Sequence, residues 1–197
     1  MTEQTVSAMN TPAHIIVNAA LLGHRRVPRE WMAAALGGAL PDVPMFAFYF
    51  LEKVLKRESE GEIWKHYFDP SWQHLFDVFH SIPLMGLLTW IAWRFKSSVG
   101  TVLGGSMLLH AVEDLPLHHD DAHRHFLPLS DWRFESPISY WDPQYYGHVI
   151  GPLEILLVLV CTVWIFRSHP WPGSKVITGV LLGCYAGFWF YAWTVWG

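Results

Sequence analysis

Charge is scarce in this chain. Asp, Glu, Lys and Arg make up only 15% of 197 residues, against about a quarter in ordinary soluble domains, too few to cover a water-facing surface. Cysteine is scarcer still. Cys161 and Cys184 are the whole supply, and both lie in strongly apolar runs, where they read as small packing residues rather than as a disulfide or a thiolate metal site. An excess of positive charge is also missing: 13 basic and 17 acidic residues nearly balance. They are scattered, so no face is basic enough to follow a phosphate backbone, which excludes nucleic acid as a partner. Residues 1–11 lack the basic start and short apolar core of a signal peptide, so the hydrophobic segments are expected to stay in the mature protein.

What is abundant is aromatic and apolar. Twelve Trp and 12 Phe in a chain so poor in charge point to lipid, and about 20 mostly apolar residues suffice to span a bilayer as a helix. Five runs qualify: residues 31–51, 75–95, 98–115, 149–166 and 176–196. Before them, PAHIIVNAALLG is apolar but too short to cross, and reads as a half-helix. The expected fold is all-α: a polytopic transmembrane helical bundle of about five spans plus this short N-terminal half-helix, forming one integral membrane domain over residues 1–197. Trp64, Tyr67, Trp72, Trp132, Tyr140 and Trp141 fit interfacial belts at the headgroup level. The first run is interrupted by GGALPDVP. Irregular backbone at membrane depth is tolerated only where it is buried in protein or lines a polar cavity, so Asp42 should face an interior.

Twelve histidines carry the chemistry. The third run ends in LLHAVEDLPLHHDDAHRH, where His110 and Asp114, four residues apart, share one helix face. Beyond them, a His/Asp-rich loop at about residues 116–147 supplies His118, His119, Asp120, Asp121, His123 and His125. Imidazole with carboxylate and without thiolate suits divalent metal ions, most naturally zinc, with manganese or iron as alternatives, in a hydrolytic or oxidative site. Alternating traversal of the bilayer then brings His14, Asp42, Asp77, His80, His110, Asp114 and His148 towards one membrane face. Ionisable groups near spans are costly unless they face a polar interior, so this convergence is a functional signal. Glu154, one turn into the fourth run, is a further candidate ligand or base.

Read together, PAHIIVN, the LPDVP break, FHS opening a span, the GGSMLLHAVED helix and the later SDWRFESPIS resemble the YdjM-type family of inner-membrane, metal-dependent hydrolases over about residues 14–139. The order of His14, Asp42, His80, His110 and Asp114 is more distantly similar to the ligand order of zinc-dependent phospholipases C. The resemblance implies that these five are metal ligands, with one of His118, His119 or His123 completing the set. Where the family has a His-Arg-Gly just before its Thr-His-Ser, this chain has HLFDVFHS: His74 is displaced, no arginine follows it, and Asp77 stands nearby.

The expectation is therefore a membrane-embedded metal-dependent hydrolase, acting on a phosphoester or phosphodiester of a lipid or lipid-linked substrate through metal-activated water. Asp42 or Asp77 would serve as general base or bridging ligand, and Arg133 would hold a phosphate oxygen through its planar fork. The rival class is a metal-binding or metal-transporting membrane protein without catalysis; a haem carrier would need paired histidines on facing spans. Seven of the 13 basic residues, Arg25, Arg26, Arg29, Arg94, Lys96, Arg167 and Lys175, fall on the face opposite the cluster. In a bacterial-type inner or plasma membrane the positive-inside bias then favours an extracytoplasmic site.

Overall fold

A computed structural model describes residues 10–139 and 142–196. Tyr140 and Trp141, assigned above to an aromatic belt, lie outside them, as do residues 1–9. All regular structure among the described residues is helical. After α1 (Thr11–Leu22) come α2 (Pro28–Gly37), a 3-10 turn (Leu40–Asp42), α3 (Val43–Phe50) and a π-helical turn (Leu51–Lys56). Then follow α4 (Glu60–Tyr67), α5 (Pro70–Phe79), α6 (Ile82–Arg94), α7 (Ser98–Asp114), a 3-10 turn (Pro143–Tyr145), α8 (Gly147–Ser168) and α9 (Pro172–Trp196). Proline stands in the first turn of α1, α2, α3, α5 and α6, where its missing N–H costs no helical hydrogen bond. Ser81 and Ser97 cap α6 and α7 by accepting the N–H of Leu84 and Gly100 at 3.2 and 3.1 Å.

Two helices among the described residues are long and apolar enough to cross a membrane, Pro28–Lys56 with 29 residues and Gly147–Ser168 with 22. A third arises if α5 and α6, bent by 41° at their junction, count as one broken span. Five spans therefore become two or three. The physical reason is length: α7 has 17 residues, about 26 Å at 1.5 Å per residue, short of a hydrocarbon core of about 30 Å. The 25-residue α9 ends in side chains outside the described set and is not among the two. Exposed Trp90 and Trp93 on α6 and Leu156, Val160 and Val163 on α8 give these helices apolar outer faces suited to lipid.

The interior has two apolar centres and a polar seam. Ala13, Ile16, Val17 and Trp31 pack with Val158, Ile165 and Tyr185, joining α1 and α2 to α8 and α9. Phe48, Ile63, Tyr67 and Phe76 form the second centre, between α3, α4 and α5, with Trp64 and Trp72 against it. Tyr67 is thus core and not interface, a correction to the belt reading: short α4 folds back and buries its ring on Phe76 at 5.2 Å. The seam links α1, α2 and α7. Asn18 donates to the Ser106 carbonyl at 2.9 Å, and the Ser106 hydroxyl donates to the Ala34 carbonyl at 2.6 Å. Gly37 and Gly38 permit this approach. A Cβ at 37 would stand 2.5 Å from both the Leu103 carbonyl oxygen and the Ser106 Cβ, and one at 38 would stand 2.9 Å from the His14 carbonyl oxygen.

Candidate metal centre

The seam delivers the titratable groups. α1 carries His14, the 3-10 turn after α2 carries Asp42, the α5–α6 break carries His80, and α7 carries His110 and Asp114. None of the five is more than 2% exposed. The LPDVP break does what its backbone requires: the helical ladder is interrupted, Asp42 turns inward, and the Thr11 hydroxyl donates to its Oδ2 at 2.5 Å. The bend at His80 likewise aims its ring into the bundle.

Each imidazole is oriented by an acceptor-only group. His14 Nδ1 donates to Glu113 Oε2 at 2.7 Å, His80 Nδ1 to the Phe76 carbonyl at 2.9 Å, and His110 Nδ1 to the Gly38 carbonyl at 3.0 Å. In the neutral tautomer this places the lone pair on Nε2, the arrangement by which outer partners fix metal-binding histidines. The three Nε2 atoms are buried and make no hydrogen bond. They lie instead against carboxylate oxygens: His14 Nε2 to Asp114 Oδ1 at 3.0 Å, His110 Nε2 to Asp114 Oδ2 at 3.1 Å and to Asp42 Oδ1 at 3.4 Å, His80 Nε2 to Asp114 Oδ2 at 3.4 Å and to Asp42 Oδ1 at 3.5 Å. Two lone pairs so placed repel unless something positive sits between them. Neighbouring N and O ligands of one ion, each about 2.0–2.1 Å from it, are about 3.0–3.4 Å apart.

Two groups thus have the spacing to hold a metal ion, His14 with His110 and Asp114, and Asp42 with His80 and His110, each with ligand atoms within 4.8 Å of one another. His110 belongs to both. Asp114 uses its two oxygens differently: Oδ2 faces His80 and His110, while Oδ1 faces His14 and, at 3.4 Å, His118 Nε2.

The loop after α7 continues the cluster. His118 Nδ1 lies 2.9 Å from Asp121 Oδ2. Burial opposes a charge on His118, but the adjoining Asp121 and Asp114 carboxylates outweigh it and raise its pKa well above the ordinary value. His123 stacks on His80 at 4.2 Å; burial first, and repulsion from His80 second, push it down to about 4. His125, also buried, is pushed down to about 3 by burial and then by His123. Both are neutral imidazoles at physiological pH. His119 stands apart, 21% exposed, with Nδ1 donating to the Ser136 carbonyl at 2.6 Å and its ring on Tyr145 at 3.6 Å. His148 is exposed at the start of α8 and does not join the cluster. Glu154 is buried and accepts from the Tyr185 hydroxyl at 2.8 Å.

Asp77 is fully buried at the edge of the cluster. Its oxygens receive the Arg124 backbone N–H at 2.9 Å, Arg124 Nε at 2.5 Å and Arg133 Nη2 at 3.3 Å. His123 Nδ1 is 3.6 Å away. Arg133 also donates from Nη1 to the Gln73 side chain and the Ala122 carbonyl at 3.1 and 2.5 Å. Asp77 therefore clamps the histidine loop onto α5. Sequence reasoning passed over Glu113 and Arg124. Glu113 had a signal, since it follows His110 by three residues and so borders the same face; Arg124 had none, because its partner is 47 residues away.

Compared with protein-family models, curated proteins and solved structures, the chain matches none.

Proposed function

We propose that this protein is a membrane-embedded, metal-dependent hydrolase that cleaves a phosphoester or phosphodiester of a lipid or lipid-linked substrate. One observation carries the reading: three buried Nε2 lone pairs and two carboxylates meet at the spacing of a coordination shell, every imidazole being held from behind by an acceptor. His14, Asp42, His80, His110 and Asp114 would hold the ions, with His118 and His123 at the margin and His119 outside. A donor set of imidazole and carboxylate without thiolate favours zinc, with manganese or iron as alternatives. Bound divalent ions of this kind lower the pKa of water and neutralise charge developing on a phosphoryl oxygen.

The chain's own groups supply the rest. Asp42 Oδ1 faces His80 and His110 while its Oδ2 is fixed by Thr11, so this carboxylate is positioned to accept a proton beside the ions. Asp77, committed to two guanidinium groups, serves better as a clamp than as a base. Arg133 keeps its Nε–H and one Nη2–H without a partner among the described residues and is a third exposed, suited to a phosphate oxygen. Two to three candidate spans keep such a site near the bilayer, which favours a lipid-borne substrate. Seven of the 13 basic residues at the opposite end favour an extracytoplasmic placement by a narrow margin.

The test is elemental analysis of detergent-purified protein beside a His110→Ala/Asp114→Ala double variant, followed by turnover assays on phospholipid, diphosphate lipid and a soluble phosphodiester. Stoichiometric metal in the native protein, its loss by more than about a hundredfold in affinity in the variant, and lipid turnover that vanishes with it are expected. Tightly held metal with no turnover of any of the three would overturn catalysis.

A further inference from the structure

At the opposite end of the bundle the chain builds a second polar site that the hydrolase reading does not use. A cavity of about 360 Å³ opens where the loop after α1 meets the α8–α9 turn, lined by Arg25, Arg26, Arg167, Ser168, His169, Pro170 and Lys175. Four of the seven are cations, none is acidic, and no carboxylate pairs with any of the four among the described residues. Converging positive charges repel one another, so a cavity of this kind is completed by an anion. The His169 side chain is buried and ties the walls together, with Nε2 at 3.4 Å from the Gly23 carbonyl.

The surroundings say which anion. Arg167 closes an α8 whose outer face is apolar, and the Arg25 guanidinium lies 4.4 Å over the ring of Trp164, one helical turn deeper. Below the cations, Val163, Trp164 and Phe166 are exposed on α8, and Val176, one turn into α9, is 66% exposed. A ligand with a negative head and hydrocarbon tails meets both halves of this surface, whereas free phosphate meets only one. Along α8, Arg167 lies 20 residues beyond Gly147, about 30 Å at the helical rise, about the thickness of a hydrocarbon core, so the cavity stands at the other end of this span from the histidine loop. Basic pockets between helices at such a boundary recognise phospholipid headgroups.

We propose that this cavity binds the phosphate of an anionic phospholipid in the leaflet opposite the metal cluster. It stands apart from the hydrolase reading: the lipid here is a resident ligand, not a substrate. The phosphate accepts from Arg25, Arg26, Arg167 and Lys175, while the acyl chains run along the exposed face of α8.

Native mass spectrometry of the full chain, purified in mild detergent and offered equal parts phosphatidylglycerol and phosphatidylcholine, tests this. Preferential retention of phosphatidylglycerol is expected, falling about tenfold or more in Arg25→Gln/Arg167→Gln. The same loss should not occur in Arg29→Gln/Arg94→Gln, which removes two cations at the same end but outside the cavity. Excess inorganic phosphate should not displace the lipid. No preference for the anionic lipid, equal losses in the two double variants, or displacement by inorganic phosphate would each overturn the proposal, the last by assigning the cavity to a free anion. If the cavity variant fails to elute as one species, Lys175→Gln decides: about a fivefold loss is expected, and unchanged retention overturns.

Discussion

At the cluster end, His14, Asp42, Asp77, His80, His110 and Asp114 are all at most 2% exposed, and each touches a group of complementary character. At the far end, Arg25, Arg26 and Arg167 lie exposed, without an acidic partner among the described residues. The contrast shows how a chain with few charges places them. Burying an ionisable group near lipid is costly unless partners compensate within the protein, and α1, α7 and the 3-10 turn at Asp42 supply those partners. The arginines lack them and stay at the boundary, where water and lipid headgroups provide the counter-charge.

That comparison can be broken by removing the clamp. Asp77→Asn leaves Arg124 and Arg133 facing a neutral amide, and should destabilise the protein by about 2–3 kcal/mol; the partly exposed guanidiniums keep it below the figure for a fully buried pair. Thermal melting in detergent reads this, and an unchanged melt would mean that the histidine loop is held by something else. A smaller effect sharpens the contrast. Glu113→Gln keeps an acceptor for His14 Nδ1 but removes its charge, so metal affinity should fall about tenfold with little change in melting, as measured by competition with a chelator. Unaltered affinity would detach Glu113 from the site. The smallest effect concerns a histidine at the same end with no partner role: His148→Ala should leave metal content unchanged, and a loss of bound metal there would show that α8 contributes a ligand.

Much of the cluster was legible because its signals are local. The i, i+4 spacing of His110 and Asp114 fixes a shared helix face, LPDVP forces a break at Asp42, and alternating traversal sets which ends lie together. Traversal gives depth along a helix but not the direction a side chain points around it. His148 was accordingly placed at the correct end, yet α8 turns it outward. Among the loop histidines, sequence could not separate His119 from its neighbours, since their aim depends on distant backbone contacts: Ser136 N–H donates to the His118 carbonyl at 2.9 Å and Ile82 N–H to the His125 carbonyl at 2.9 Å. Hydropathy overcounted the spans for a related reason, because an apolar run such as α7 can be buried among other helices without reaching both faces.

Gly38 has an ordinary helical φ of −71°, which any residue could adopt, so its backbone places no demand on residue type. The restriction is one of room alone. Its carbonyl accepts from His110 while the missing side chain leaves space for the main chain of His14, so the two histidines that stack at 3.8 Å are brought together across a single residue. A methyl group there would act as a wedge between α1 and the end of α2, spreading the two histidines and detuning the proposed metal site from a position that contributes no ligand.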